Sequence, residues 1–129
     1  MAENRKILKI QDVSDGIGEV RISDEVVTII AALAATEIEG VASLTGNITN
    51  ELVSRLSKKS LSRGVRVAII DGMIHVDLSL IIRYGENLLE TSKAVQERVK
   101  STVENMTGLI VADVNIRIAG VDMEMEKGK

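Results

Sequence analysis

Cysteine, proline, phenylalanine and tryptophan are all missing from this 129-residue chain, and tyrosine and histidine occur once each. Without cysteine there is no disulfide, no thiolate metal centre and no dithiol redox chemistry. A single histidine makes a zinc site poor, because such sites usually draw on three or four good ligands. Without proline, no turn is pinned by a fixed φ. The near-absence of aromatic rings leaves Ile, Val, Leu, Ala and Met to build the core, and it removes the stacking platform that single-stranded nucleic acids favour. Long apolar runs are missing too. The longest, Val26–Ala35, has ten residues including Thr28, against the ~20 a membrane-spanning helix needs. The N-terminal MAENRKILKIQDV lacks the apolar stretch of a signal peptide. A strong positive charge is also absent. The net charge of −3 and pI near 5.2 count against bulk nucleic-acid binding. No Gly-Lys-Ser/Thr loop, HExxH or GxSxG motif occurs, and Gly16-Ile17-Gly18 precedes a strand rather than opening a helix. The residues thus suggest no catalytic site, cofactor or metal. The expectation is a non-enzymatic protein, and the lack of cysteine fits the cytoplasm.

What is present is organised around Gly64–Gly85, GVRVAIIDGMIHVDLSLIIRYG. Two alternating apolar runs flank Asp71-Gly72, a dipeptide suited to a two-residue turn of positive φ, so the stretch predicts a β-hairpin. Ile70 should oppose Met73, Ile69 Ile74, Val67 Val76 and Val65 Leu78. Leu80 and Ile82 continue that apolar face. Arg66, His75, Asp77, Ser79 and Arg83 take the other, which is left wet or covered by a partner.

In chain order, residues 1–17 read as a mobile lead-in, with a short edge strand through Ile7, Leu8 and Ile10 as the alternative. Gly18–Ile22 alternates as a strand. Ser23 caps a helix whose first turn carries Asp24 and Glu25, running to about Glu39 with Gly40 as its stop. That helix is apolar nearly all round, which calls for cover on both sides and points to a second subunit as one of them. Val41–Asn50 reads as a loop turning at Gly46 and Asn47. Glu51–Lys59 is a short helix with Asn50 as cap. Leu88–Thr107 is a long helix with Leu88, Val95, Val99, Thr102 and Met106 on one face and charges of alternating sign on the other. Leu109–Val121 is a last strand with Ile110, Val114, Ile116 and Ile118 inward, and residues 122–129 form a polar tail read as disordered. The order β-α-(short α)-β-β-α-β predicts a two-layer α+β sandwich, a mostly antiparallel sheet with helices on one face, in a single domain over 18–121. It is compatible with a split β-α-β arrangement of ferredoxin type.

Three stretches together resemble the alkaline-shock protein family, a Gram-positive group tied to cell-envelope stress. They are GEVRISDEVVTIIAALAATEIEGVAS at 18–43, the basic connector Lys58-Lys59 leading into Gly64-Val65-Arg66-Val67, and the closing helix from Val95 to Gly108 with Val114-Asn115-Ile116-Arg117-Ile118-Ala119-Gly120-Val121. The resemblance implies a small non-enzymatic protein in envelope stress response or homeostasis, with some members held at the inner membrane face by a membrane-anchored partner. It brings no catalytic motif with it.

Three groups of residues merit weighing as sites. His75, with Asp77 two residues on, lacks the further partners that catalysis or metal binding requires, and reads as a strand residue opposite Ala68. Arg66 and Asp77 should form an ordinary cross-strand ion pair. Arg55, Lys58, Lys59, Arg63 and Arg66 form a basic segment with no acid in it, inside an acidic chain. At about 1 kcal/mol per cation near an anionic membrane, five give about 5 kcal/mol, an affinity of only tenths of a millimolar. Membrane residence through this segment would therefore need a protein tether or multivalency. The expected function is an interaction module that self-associates through the 26–39 helix and meets an anionic partner through the basic segment. The alternative is a small RNA- or regulatory-protein-binding domain that uses Arg21, Arg66, Arg83 and Arg117 on the outer sheet face.

Overall fold

A computed structural model of the chain describes residues 7–11, 17–53, 55–56, 61 and 63–123. The elements are β1 (Ile7–Gln11), β2 (Val20–Ser23), α1 (Asp24–Thr36), β3 (Val41–Leu44), α2 (Asn50–Val53), β4 (Val65–Ile70), β5 (Met73–Arg83), α3 (Leu88–Thr107) and β6 (Ile110–Asp122).

The hairpin forms in the expected register, from Val65↔Leu78 to Ile70↔Met73. Asp71 and Gly72 take φ of 54° and 78°, the paired positive values of a type I′ turn, whose twist matches that of the strands. Along β5, Ile74, Val76, Leu78, Leu80 and Ile82 are at most 2% exposed. Burying each side chain contributes about 1.5–3 kcal/mol.

β5 also carries the other strands of the main sheet. β6 runs parallel to it from Met73↔Ile110 to Arg83↔Asp122, with α3 as the crossover that parallel pairing requires. β3 pairs antiparallel at Val41↔Ile82 and Leu44↔Leu80. A strand has two edges, and β6 fills one along its whole length, so β4 and β3 must share the other. The handover is at Ser79. Its N–H donates to the Gly64 carbonyl at 3.0 Å, and its carbonyl accepts the Thr45 N–H at 3.1 Å and the Thr45 hydroxyl at 3.2 Å. α1 and α3 pack on each other and on the sheet. The result is the expected two-layer α+β sandwich.

Several local expectations are corrected. Val41–Leu44, expected as loop, is a strand. It is four residues long with a register shift between Val41 and Ser43, too short for alternation to register, and it forms because β5 extends past β4. β2 lies outside the main sheet. It pairs antiparallel with β1, which lies in the lead-in, so the ferredoxin-type order is not adopted. α1 has its Ser23 cap, whose hydroxyl accepts the Val26 N–H at 3.4 Å, but it ends at Thr36 rather than near Glu39. The Thr36 hydroxyl turns back on the carbonyls of Ala32 and Leu33, and the chain reverses through Gly40 at φ 105°. α1 finds its cover within the chain: Val27, Ile30, Ala31, Ala32, Ala34 and Ala35 are buried against the sheet, α2 and α3. What remains is a stripe of exposed Val26 with half-buried Ile29 and Leu33. α2 is a single turn, Asn50–Val53. Asn50 begins it and its side-chain amide donates to the Thr36 hydroxyl at 3.2 Å. The remainder of the expected 51–59 helix lies largely outside the described residues.

α3 has the expected bounds. Asn87 caps it, accepting the Glu90 N–H at 2.9 Å, and Gly108 ends it at φ 77°. Its buried stripe is Thr91, Val95, Val99, Val103 and Thr107, spaced strictly four apart. Leu88 and Met106, expected inward, are 44% and 64% exposed. β6 differs for a related reason. Its register shifts between the Ile74↔Val111 and His75↔Asp113 pairs, a β-bulge at Ala112 that reverses the alternation. Val111 is therefore buried and Ile110 is 58% exposed.

The outer edge of β6 is clamped by α3 over its first half. The Val111 N–H donates to Glu104 Oε2 at 2.9 Å, and the Val111 carbonyl accepts from Lys100 Nζ at 3.0 Å. The Val114 carbonyl accepts from Gln96 Nε2 at 3.0 Å. Three helix residues at i, i+4 and i+8 thus satisfy backbone groups that would otherwise offer a pairing edge. The Val111 N–H, followed by the Lys100 ammonium, holds the Glu104 carboxyl below its ordinary range.

Two outcomes follow. At Gly64 an added Cβ would lie 2.8 Å from Leu44 Cβ and 3.3 Å from the Thr45 backbone. Gly64→Ala should therefore cost about 1–3 kcal/mol, read from the midpoint of denaturant unfolding. Glu104 has a lowered folded-state pKa, so its contribution is present above the unfolded carboxylate pKa and is lost as pH falls through the folded one. Glu104→Gln should accordingly narrow its stability gap to the native chain as pH drops below the ordinary glutamate range, measured by urea unfolding at stepped pH.

Candidate functional site: the outer sheet face and the open edge of β6

The face of the main sheet away from the helices is read in rows across β4, β5 and β6. At the hairpin tip stand Ile70, Met73 and Ile110, paired in register and 55%, 37% and 58% exposed. The next row is Ala68, His75 and Asp113, then Arg66, Asp77 and Asn115, then Ser79 with Arg117.

The polar rows are hydrogen-bonded to one another. His75 Nδ1 lies 3.0 Å from Asp113 Oδ2. The Asn115 amide donates to Asp77 at 3.0 Å and to Asp113 at 3.3 Å. Asp77 is therefore engaged by Asn115. Arg66 stands opposite it in register, but the cross-strand ion pair expected from the sequence is not formed. His75 is opposite Ala68 as expected, and its partner is Asp113 rather than Asp77. Among the described residues no cluster of three or more His, Asp or Glu side chains could hold a metal ion.

The basic segment is only partly described. Arg55, Arg63 and Arg66 are exposed, whereas Lys58 and Lys59 lie outside the described residues. Arg63 and Arg66 line a groove of about 340 Å³ with Gly64, Asp77, Ser79, Asn115 and Arg117. Arg117 enters from β6, far along the chain, and only the parallel β5–β6 pairing brings it there. Of the four arginines expected together on the outer face, Arg66, Arg83 and Arg117 stand on it, and Arg21 does not. Arg21 belongs to β2, where it pairs with Glu19 at 2.7 Å. The single aromatic ring, Tyr84, is 59% exposed just past the end of β5, away from that groove.

The clamp on β6 stops at Val114. Backbone groups alternate between the two edges of a strand, so those of Ile116 and Ile118 point the same way as those of Val114, toward the outer edge. Among the described residues no strand pairs there. Beside this open half lies a second groove of about 580 Å³, lined by Leu88, Leu89, Ser92, Lys93, Gln96, Asn115, Ile116 and Ile118. Leu89 is 65% exposed at its rim. Sequence periodicity places Leu88 inward and gives no sign of the edge, which depends on strand order.

Among the described residues no helix is long and apolar enough to cross a membrane. A profile of the alkaline-shock protein 23 family, described as having a cell envelope-related function, matches residues 12–123. The uncharacterised protein YqhY of Bacillus subtilis is 32% identical over 122 residues, covering 95% of this chain and 90% of that protein. The uncharacterised protein YloU of the same organism is 37% identical over 106 residues, covering 81% and 88%. A stress response regulator gls24 homolog of Streptococcus pyogenes is 25% identical over 105 residues, covering 81% of this chain and 59% of that protein. No solved structure matches. The match over nearly the whole domain, on the fold described above, places the chain in the alkaline-shock protein family of cell envelope-related proteins.

Proposed function

We propose that this chain is a non-enzymatic interaction module of the envelope stress response, working by self-association and by binding a partner. The observation that carries this reading is the half-open edge of β6. Where α3 supplies Gln96, Lys100 and Glu104, the edge is closed. At Ile116 and Ile118 no described residue pairs with it, and it is flanked by a groove with exposed Leu88 and Leu89. An added strand gains main-chain hydrogen bonds from such an edge and places alternate side chains in the groove. A second copy presents the same strand and the same leucines, which suits a symmetric, self-complementary pairing.

This moves the self-association surface from the α1 helix, which its own chain largely covers, to the β6 edge. The basic segment Arg55, Lys58, Lys59, Arg63 and Arg66 is the contact for an anionic partner. The gls24 homolog is called a stress response regulator, which supports the same role here. A cytoplasmic location, with residence at the inner membrane face through an anchored partner, completes the reading.

The native chain should show a mass above the monomer at high micromolar concentration by light scattering. Leu89→Lys together with Ile118→Lys should weaken self-association about tenfold or more, because an edge lysine blunts strand pairing. Circular dichroism checks that the variant is folded. A native chain that stays monomeric at every concentration contradicts the self-association reading.

A further inference from the structure

The groove between β4, β5 and β6 gathers three guanidinium groups in a chain of net charge −3. Arg63 and Arg66 enter from one side of β5 and Arg117 from the other. Two strand spacings of about 4.8 Å and an offset of two residues along β5 put Arg66 and Arg117 roughly 12 Å apart across the sheet. Arginine side chains of this reach can converge on one small anion. None of the three is held in an ion pair or side-chain hydrogen bond among the described residues. The one carboxylate lining the groove, Asp77, is occupied by the Asn115 amide. The floor is positioned by backbone bonds at Ser79 and Gly64, and the Arg63 stem lies against Gly46 at the loop after β3.

The geometry points to a binding site for a compact oligophosphate group at Arg63, Arg66 and Arg117. Guanidinium forks match phosphate oxygens two at a time, and three forks around one groove suit two or three linked phosphates. The groove volume of about 340 Å³ is at the small end for ligand pockets, so the ligand is a small head rather than a long polymer. RNA is disfavoured. The groove has no aromatic ring on which a base could stack, and Asp113, beyond Asp77 on the same face, repels an extended polyanion. The phosphate group has two possible sources, a free solute or a lipid headgroup.

This proposal narrows the anion-contact reading of Arg63 and Arg66 and rests on it for those two residues. Arg117 is its independent element. The full-length chain is titrated with sodium tripolyphosphate by isothermal calorimetry at fixed ionic strength. In parallel it is floated with phosphatidylcholine vesicles, with and without phosphatidic acid. Saturable tripolyphosphate binding is expected, weakened about tenfold by Arg66→Gln and again by Arg117→Gln. Arg21→Gln, on β2, should leave it unchanged. Vesicle binding that is lost with the same two variants assigns the lipid as source, and its absence assigns the solute. Lys58→Glu with Lys59→Glu should retain tripolyphosphate binding even where it abolishes capture of a partner, which separates this site from the two lysines of the basic segment. No saturable binding, binding indifferent to Arg66→Gln and Arg117→Gln, or a short RNA oligomer that binds the same arginines more tightly than tripolyphosphate would each overturn the proposal.

Discussion

Backbone hydrogen bonding along β5 is the constraint on which the other strands of the main sheet depend. β5 is longer than either strand on its first edge, so that edge is divided between β4 and β3, with Ser79 bonded at the junction. Its second edge is filled by β6 in parallel. Its inward side chains, Ile74 through Ile82 at alternate positions, supply the surface on which α1 and α3 settle. Because β6 is parallel, the connection must climb back over the sheet. α3 does this and reaches β6 with its own side chains.

That return path determines which surfaces are left over. α3 lies close enough to β6 for Gln96, Lys100 and Glu104 to cap the outer edge near the start of the strand. Toward the end of β6 the capping stops, and an apolar groove lies between Leu88, Leu89 and Ile118. The same parallel register sets Arg117 beside the row of Arg66 and next to Ser79. The open edge and the arginine groove therefore have one cause, the pairing of β6 with β5, although they occupy different sides of the strand.

Much of this is legible in the sequence, and the remainder fails for identifiable reasons. The hairpin register follows from Asp71-Gly72, because a two-residue turn leaves one pairing. The bounds of α3 follow from Asn87 and Gly108, whose capping chemistry is local. Alternation misplaces the start of the inward set of β6 because a bulge at Ala112 shifts it by one, and a small apolar residue such as Ala112 fits either register. Leu88 and Met106 read as inward because apolar character at helical spacing does not say whether a partner surface reaches the helix ends. β3 escapes notice because four residues give too little pattern. The arginine groove is half visible: alternation puts Arg66 and Arg117 on one face and Arg63 lies close to Arg66 in sequence, but that the three line one groove follows only once strand order is known.

Hydrogen exchange along β6, followed residue by residue as protein concentration is raised, tests the central claim most directly. The Val111 amide should be protected at every concentration, since Glu104 holds it within the chain. The amides of Ile116 and Ile118 should exchange readily in dilute solution and gain protection as the chains associate. Uniform protection of β6 in the dilute protein would contradict an open edge. Concentration-dependent protection confined to the Val26, Ile29 and Leu33 stripe of α1 would show that association uses the helix instead.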